Sequence, residues 1–308
     1  DKNIEKNNLK KEDLEVLKFL SKYKILKVED ATLIYNTKRY YRDRVNKLIS
    51  NGYVKRYKSY IILDKNGRRV LGEVGQGYIK NIKNEAYMER LKAISSIATL
   101  SIDSNIKFEP SWLIKEKDIY TETARRYIGK IIIEGMEYLS YYVSKKKEDI
   151  YIKQLLFDIN KSFNYENIII FVEDLDIINP KYSNLSFGKE KTIVILNDNH
   201  NKELIKRYTD INWHEVLEEK YKKEILISDW DKADYLLDEN SYIIEMLFIN
   251  TEKIEKLKWY YKENISSQKN VQIVTTSINE EKIKEMISDN RCSIKVIDKD
   301  WLGGILEC

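Results

Sequence analysis

The strongest carboxylate cluster in the sequence is Glu173–Asp176, which directly follows an apolar run at Asn167–Val172. Carboxylates at the end of a strand are ligands that Mg²⁺ prefers, and a bound Mg²⁺ can activate water for hydrolysis of a phosphodiester. An acidic loop after a strand is equally the pattern of an ordinary solvated turn. We favour the turn, because this part of the chain is rich in acidic residues.

A second carboxylate group lies at Glu134 and Glu137, with Lys145–Lys147 further along the chain. A metal-dependent nuclease needs a carboxylate at a strand end, followed by an acidic residue and a lysine two positions apart. The spacing here does not give that Glu-x-Lys pair, and Glu134–Gly135 has the composition of a hairpin turn. We therefore predict no catalytic residues.

Histidine and cysteine chemistry is limited by numbers. The chain contains only His200 and His214, and only Cys292 and Cys308. These residues cannot supply a zinc site, a disulfide framework or the histidine cluster of a relaxase with a tyrosine nucleophile. The sequence also lacks a Gly-x-x-x-x-Gly-Lys-Ser/Thr phosphate-binding loop. We predict neither a metal nor an organic cofactor.

Positive charge is concentrated near the amino terminus. Residues 1–100 contain 23 Lys and Arg against 12 Asp and Glu, whereas the rest of the chain contains 31 against 38. Within 38–69, eleven basic residues accompany only Asp43 and Asp64. This asymmetry is typical of a nucleic-acid-binding module joined to another domain, although a solvated lysine-rich surface would give the same totals.

Three helices are predicted around this basic segment. Leu14, Leu17, Phe19 and Leu20 recur at helical spacing. A shorter second helix is predicted from Val28 to Tyr35, with Ala31, Ile34 and Tyr35 directed inward. Asn36 or Thr37 is the expected cap of a third helix, which ends near Ser50 before Asn51–Gly52.

The third helix has two different faces. Tyr41, Val45, Leu48 and Ile49 form one apolar stripe. The opposite face carries Arg39, Asp43, Asn46 and Ser50, and Lys47, Arg42 and Arg44 lie on its flanks, where cations neutralise phosphates. Such a helix suits the major groove, because arginine pairs with guanine and asparagine with adenine. The two strands Tyr53–Tyr57 and Ser59–Leu63 would follow as a hairpin along the DNA backbone. The predicted DNA-binding residues are Thr37, Lys38, Arg39, Arg42, Arg44, Asn46, Lys47, Lys55, Arg56 and Lys58.

Helix, helix, helix and a basic hairpin is the order of a winged helix. The apolar, arginine and glycine positions of this region resemble the replication-relaxation family of plasmid and mobile-element proteins. These positions are Leu17–Leu20, Ile34–Tyr35, Arg44, Leu48, Gly52–Val54 and Ile61–Gly67. Asp64 replaces the threonine of the family's wing exit. The resemblance covers roughly the first 75 residues and implies an N-terminal winged helix.

A second block, Arg125–Gly129 with Tyr138, Tyr141 and Tyr142, resembles the second domain of some Firmicute members of that family. The resemblance implies a nuclease-like sheet. From the residues themselves, strands and helices alternate after Ser101, which favours an α/β domain with a mixed sheet. We predict a winged helix over 1–75, a connecting helix over 76–100 and this α/β domain over 101–308. The strands are expected at Ile131–Ile133, Tyr138–Val143, Asn167–Val172, Thr192–Leu196, Ile225–Ile227, Tyr242–Leu247, Val271–Thr275 and Ser293–Ile297.

Composition supports a folded protein of the cytoplasm. Hydrophobic residues make up 43% of the chain, enough for real cores, and apolar runs are far too short to span a membrane. The chain opens without a charged segment followed by an apolar one, so we predict no export.

Three functions remain open. The first is a sequence-specific protein that binds double-stranded DNA of a plasmid or mobile element, acting in replication initiation, transfer or their regulation. It would self-associate on repeated sites and recruit a relaxase or a replication protein. The second is a metal-dependent DNA-nicking enzyme targeted by the winged helix. The third is a transcription regulator whose second domain senses a ligand.

Overall fold

The computed structural model describes residues 9–37, 39–72, 84–117, 126–145, 149–161, 165–177, 191–262 and 268–297. The chain is a mixed α+β protein with eleven helices and with mixed sheets among these residues. It divides into two compact units. The first comprises residues 1–118 and 128–133, and the second comprises residues 119–127 and 134–308.

The first unit alternates helices with short strands. Its helices are α1 (Lys11–Tyr23), α2 (Ala31–Tyr35), α3 (Tyr40–Ser50), α4 (Lys65–Val70), α5 (Glu85–Ala98) and α6 (Ser111–Lys117). Its strands are β1 (Ile25–Lys27), β2 (Val54–Tyr57), β3 (Tyr60–Leu63), β4 (Lys107–Pro110) and β5 (Gly129–Ile133).

The second unit contains the remaining elements. Its helices are α7 (Asp149–Lys161), α8 (Asn199–Arg207), α9 (Trp213–Tyr221), α10 (Thr251–Lys262) and α11 (Ser277–Met286). Its strands are β6 (Met136–Val143), β7 (Asn167–Val172), β8 (Lys191–Leu196), β9 (Leu226–Ile227), β10 (Tyr235–Asp238), β11 (Ser241–Glu245), β12 (Ile249–Asn250), β13 (Asn270–Thr276) and β14 (Cys292–Ile297).

Strand β1 was not predicted, and it completes a three-stranded antiparallel sheet in the order β1-β3-β2. Ile25 pairs with Ile62, and Val54 pairs with Leu63. Helix α1 ends at Tyr23, because Lys24 has a φ of 74° and its N–H donates a hydrogen bond to the carbonyl of Leu20. The chain then enters the sheet directly.

The junction between α2 and α3 differs from the prediction. Asn36 adopts the left-handed conformation (φ 49°) and ends α2, so it does not cap α3. Helix α3 begins only at Tyr40, and Arg39 before it makes no capping bond through its side chain. The end of α3 is confirmed at Ser50, with Gly52 in the left-handed region at φ 65°.

Helix α5 is shorter than the predicted connecting helix. It begins at Glu85, where the Asn84 side chain accepts a hydrogen bond from the N–H of Tyr87; residues 76–83 of the predicted helix lie outside the described residues. Met88 and Leu91 of α5 form a buried cluster with Ile25 and Ile62 of the sheet. Helix α5 is therefore part of the first unit's core.

The second unit contains two mixed sheets. In one, β6, β7 and β8 are parallel and β12 joins β8 antiparallel. In the other, β11, β13 and β14 are parallel, and β10 and β9 continue antiparallel to give the order β14-β13-β11-β10-β9. Crossover helices explain two of the parallel pairs, since α7 connects β6 to β7 and α11 connects β13 to β14.

Most predicted strands are confirmed within a few residues, and β7 has the predicted bounds. Strands β4, β10 and β12 and helices α6, α8 and α9 were not predicted. No helix in the described part of the chain has the length and apolar character needed to cross a bilayer.

Candidate nucleic-acid interface

Helix α3 is held by one apolar stripe. Tyr41, Val45 and Leu48 are buried and Ile49 is half-buried, as the sequence predicts. The stripe faces the core of the first unit. Because of the helical period, the opposite side of α3 therefore faces solvent.

The solvent-facing side of α3 carries the predicted polar residues. Thr37, Arg39, Arg42, Asn46 and Lys47 are all exposed. Asp43 and Ser50 share this side, whereas Lys38 lies outside the described residues. Three cations and one amide therefore lie within about three helical turns, on a helix whose position is set by its buried stripe. We name Arg39, Arg42, Asn46 and Lys47 the α3 row.

Arg42 is oriented by its neighbour. Its Nε donates a hydrogen bond to the Tyr41 hydroxyl at 3.0 Å, and its guanidinium carbon lies 5.7 Å from the centre of the Tyr41 ring. The bond to Tyr41 raises the pKa of the guanidinium further above its ordinary value. Arg42 therefore presents a permanent charge from a restrained side chain.

The prediction that Arg44 lies on the DNA-facing flank of α3 is wrong. The residue is only 7% exposed, and its guanidinium forms an ion pair with the fully buried carboxylate of Asp13 on α1. Arg44 Nε lies 3.2 Å from Asp13 Oδ1, and the pair raises the pKa of Arg44. Its Nε and Nη2 both donate to the Asp13 carboxylate, so Arg44 holds α3 against α1.

Asp13 joins three helices. Its Oδ1 accepts a hydrogen bond from the Tyr35 hydroxyl of α2 at 2.7 Å, and its Oδ2 accepts the N–H of Lys10 at 2.8 Å. Together with Arg44 of α3, these contacts satisfy a carboxylate that has no exposed surface. We name Asp13, Tyr35 and Arg44 the buried triad. It sets the position of α3 relative to α1 and α2.

The β2–β3 hairpin forms as predicted, and its tip is basic. Arg56 and Lys58 are exposed and Lys55 is half-buried. Lys58 occupies the left-handed region at φ 55°, and its carbonyl accepts a hydrogen bond from Arg56 Nε at 3.3 Å. The Arg56 side chain is therefore held against the tight turn between Tyr57 and Tyr60 that contains Lys58.

One residue pair near α3 was missed by the sequence analysis. The Lys10 ammonium lies 4.7 Å from the centre of the Tyr40 ring, and Tyr40 is 38% exposed at the first position of α3. The hydrogen bond with Lys10 lowers the pKa of the Tyr40 hydroxyl. No spacing rule relates these residues, because they approach through the packing of α1 on α3.

The acidic loop after β7 is engaged by neighbouring donors. Glu173 accepts hydrogen bonds from the Tyr142 hydroxyl at 2.7 Å and from the N–H of Lys145 at 2.8 Å. Asp174 forms an ion pair with Lys145 Nζ at 3.0 Å. The pKa of the Asp174 carboxyl is lowered, first by a hydrogen bond from the N–H of Asp176 and second by the hydrogen bond from Lys145. These carboxylates are balanced by protein groups in the manner of a structured turn.

The other candidate groups for catalysis do not converge. Glu134 and Glu137 are exposed, and Glu134 (φ 50°) forms a turn with Gly135 (φ 81°); Lys146 and Lys147 lie outside the described residues. His214 Nε2 lies 2.7 Å from the carbonyl oxygen of Ile225. Within the residues that the structure describes, no three His, Cys, Asp or Glu side chains are grouped as metal ligands.

Comparison of the chain with protein-family models, with curated proteins and with solved structures found no match. The resemblance to the replication-relaxation family stays a prediction from the sequence.

Proposed function

We propose that the first unit is a winged-helix domain that binds double-stranded DNA through α3 and the β2–β3 hairpin. The order α1, β1, α2, α3, β2, β3 and the three-stranded antiparallel sheet support this assignment. Helix α3 takes the role of the recognition helix and the hairpin that of the wing.

The observation that carries the proposal is the α3 row. Arg39 and Asn46 are exposed opposite the buried stripe of α3, and Arg42 and Lys47 are exposed on the two flanks of that face. Arginine pairs with the O6 and N7 atoms of guanine and asparagine with the N6 and N7 atoms of adenine, so the row is suited to reading base edges.

The wing has a separate role in the proposal. Arg56 and Lys58 at the hairpin tip neutralise phosphates, which adds affinity for every sequence and makes binding dependent on salt. The α3 row and the wing therefore predict different consequences when they are altered.

The test measures binding of the full chain to fragments of its native DNA at several salt concentrations. Arg39→Ala and Asn46→Ala should each lower the affinity for the preferred fragment by about ten- to a hundredfold and leave the affinity for unrelated DNA nearly unchanged. Arg56→Ala and Lys58→Ala should lower the affinity for all fragments equally. Each should reduce the slope of log affinity against log salt concentration by about one. Lys153→Ala removes an exposed cation from α7 of the second unit and serves as the control.

If the α3 and wing variants bind like the wild type, the proposed interface is wrong. Including Mg²⁺ in parallel reactions tests the nicking activity. We expect retention of one fragment without cleavage, because the carboxylates after β7 are paired with Lys145, Tyr142 and backbone donors.

The biological role that we propose follows the resemblance of the amino-terminal region to the replication-relaxation family. The chain would act at plasmid or mobile-element loci in replication initiation, transfer or their regulation. Its second unit would provide contacts to another copy, to a relaxase or to a replication protein.

A further inference from the structure

A cavity of about 320 Å³ lies beside the carboxyl-terminal half of α3, within the first unit. Pockets that bind small molecules begin at about 300 Å³, so this cavity has the size for a small ligand. Its wall comes from the segment before α1, from the last turns of α3 and from the residues that lead into β2. The lining residues are Leu9, Arg44, Lys47, Leu48, Asn51 and Tyr53.

The lining has a buried part and an exposed part. Arg44, Leu48 and Tyr53 are buried and form the floor, whereas Lys47 and Asn51 are exposed and form the rim. The N–H of Tyr53 donates a hydrogen bond to the carbonyl of Leu48 at 2.9 Å. This bond fixes the turn between α3 and β2, so the floor of the cavity is part of the fold.

The charge of the lining is positive. It contains two cations and no carboxylate. Arg44 is balanced by Asp13 in the buried triad, so Lys47 supplies the charge that a ligand meets. No carboxylate among the described residues pairs with the Lys47 ammonium. A ligand that complements this lining therefore carries a negative charge.

The hydroxyl of Tyr53 is a second polar group without a partner. Tyr53 is only 6% exposed, yet its hydroxyl forms no hydrogen bond with any described residue. Polar groups of buried residues are nearly always hydrogen-bonded, so this hydroxyl is a donor for a bound molecule. The side-chain amide of Asn51 likewise has no hydrogen bond within the described part of the chain.

We propose that this cavity binds a small amphipathic anion. Its phosphate or carboxylate group accepts hydrogen bonds from Lys47, Asn51 and Tyr53, which are the donors that such oxygens require. Its apolar group packs against Leu9 and Leu48, the two apolar residues of the lining. A phosphate of the DNA backbone shares the charge but not the apolar group, so the two can be distinguished by experiment.

The cavity shares Lys47 with the α3 row. An anion bound there occupies a cation that the proposed function assigns to DNA, so the anion and DNA should compete. This competition rests on the proposed function, whereas the binding of the anion does not.

The test is a titration of the ¹⁵N-labelled full chain, without DNA, monitored through its amide NMR signals. Phenyl phosphate is the probe, added to about 50 mM at constant ionic strength because salt screens exposed charges. A dissociation constant on the order of 1–10 mM is expected for a molecule of this size. The shifts should saturate and centre on residues 44–53, which include five of the six lining residues.

Two further molecules separate the charge from the apolar group. Inorganic phosphate lacks the ring and should bind about tenfold or more weakly than phenyl phosphate. Benzyl alcohol lacks the charge and should cause no saturable shift at these residues.

Variants of the lining should weaken binding by different amounts. Lys47→Gln removes the charge and should raise the dissociation constant of phenyl phosphate about tenfold. Tyr53→Phe removes only the hydroxyl and should raise it about threefold or more. Lys22→Gln and Tyr57→Phe are the matched controls, because they remove an exposed cation and a hydroxyl outside the cavity. Both should bind the probe like the wild type.

The absence of a saturable shift at residues 44–53 would overturn the proposal, as would equal binding of phenyl phosphate and inorganic phosphate. Shifts spread equally over the wing would also overturn it, because the probe would then be meeting solvated cations. Shifts at the cavity caused by DNA but not by phenyl phosphate would assign the cavity to a backbone phosphate instead.

Competition is measured separately, through the salt dependence of DNA binding. Saturating phenyl phosphate should reduce the slope of log affinity against log salt concentration by about one, because Lys47 no longer neutralises a DNA phosphate. A chain that binds the probe but no DNA would support the anion site and refute only the proposed function.

Discussion

The buried triad gives the sharpest prediction about the first unit. Replacing Asp13 with alanine removes a carboxylate that accepts hydrogen bonds from Tyr35 and Lys10 and pairs with Arg44. The side chain of Asp13 has no exposed surface and that of Arg44 is 9% exposed. The substitution therefore leaves a guanidinium in the core without its counterion.

Breaking one partner out of a buried ion pair costs about 3–5 kcal/mol, because the remaining charge is neither solvated nor compensated. Replacing both charged partners with apolar residues removes that penalty but leaves the buried Tyr35 hydroxyl without its acceptor, which costs about 1–3 kcal/mol. Asp13→Leu combined with Arg44→Met should therefore lie within about 1–3 kcal/mol of the wild type. The free energy of unfolding of the double variant should thus exceed that of Asp13→Ala.

Urea denaturation followed by circular dichroism measures both variants, and hydrogen exchange of α1 and α3 assigns the change to the first unit. A cost below about 1 kcal/mol for Asp13→Ala would refute the reasoning, since the pair would then contribute no more than an exposed one. The DNA salt slope of the double variant is the second check. A decrease of about one would mean that Arg44 contacts a phosphate after all.

Three further predictions concern single residues. Burial raises the pKa of Cys292 to about 12, so alkylation of this thiol at pH 8, followed by peptide mass spectrometry, should be far slower in the native protein than in denaturant. Asp289 has a lowered pKa, chiefly because it accepts hydrogen bonds from Arg291. The stabilisation that this ionised carboxylate gives is therefore complete above the pKa of the unfolded chain, about 4, and is lost as the pH falls through the lower pKa of the folded protein. Asp289→Asn should therefore lower the urea midpoint at pH 7 and flatten its decline in acid; an unchanged pH profile would contradict this. Gly67→Ala should destabilise the chain by about 1–3 kcal/mol in urea denaturation, because its Cβ would lie 2.3 Å from the Tyr53 carbonyl oxygen, while Lys65→Ala in the same helix should have little effect.

Elements with strong periodicity were predictable from the sequence. Helix α1, the buried stripe of α3 and strand β7 each combine several apolar residues at one regular spacing, so local pattern and tertiary burial agree. The exposed positions of Arg39, Arg42 and Asn46 follow from the stripe alone. For the same reason most of the candidate interface could be placed before the fold was known.

Other elements lack a local signal. Strand β1 has three residues and exists because its backbone pairs with β3, a contact more than thirty residues away in the chain. Strand β12 has two residues and pairs with β8, more than fifty residues earlier in the chain. Asn36 can cap a helix or end one, and the packing of α2 decides which. In each case the deciding interaction is non-local.

Arg44 is different, because the sequence does contain the information that places it. Tyr41, Arg44, Val45 and Leu48 are spaced i, i+3, i+4 and i+7, so Arg44 lies on the buried stripe of α3. Asp13 has the same relation to Val16, Leu17 and Leu20 on α1. The charge of Arg44 in a basic segment suggested a phosphate contact, whereas its position on the stripe indicates burial. A buried charge must be paired. Asp13 and Arg44 meet this requirement, because each lies on the apolar stripe of its own helix and the two helices are neighbours. Periodicity therefore takes precedence over residue type at such positions, and the same rule leaves Arg39, Arg42, Asn46 and Lys47 exposed to solvent together with Asp43 and Ser50.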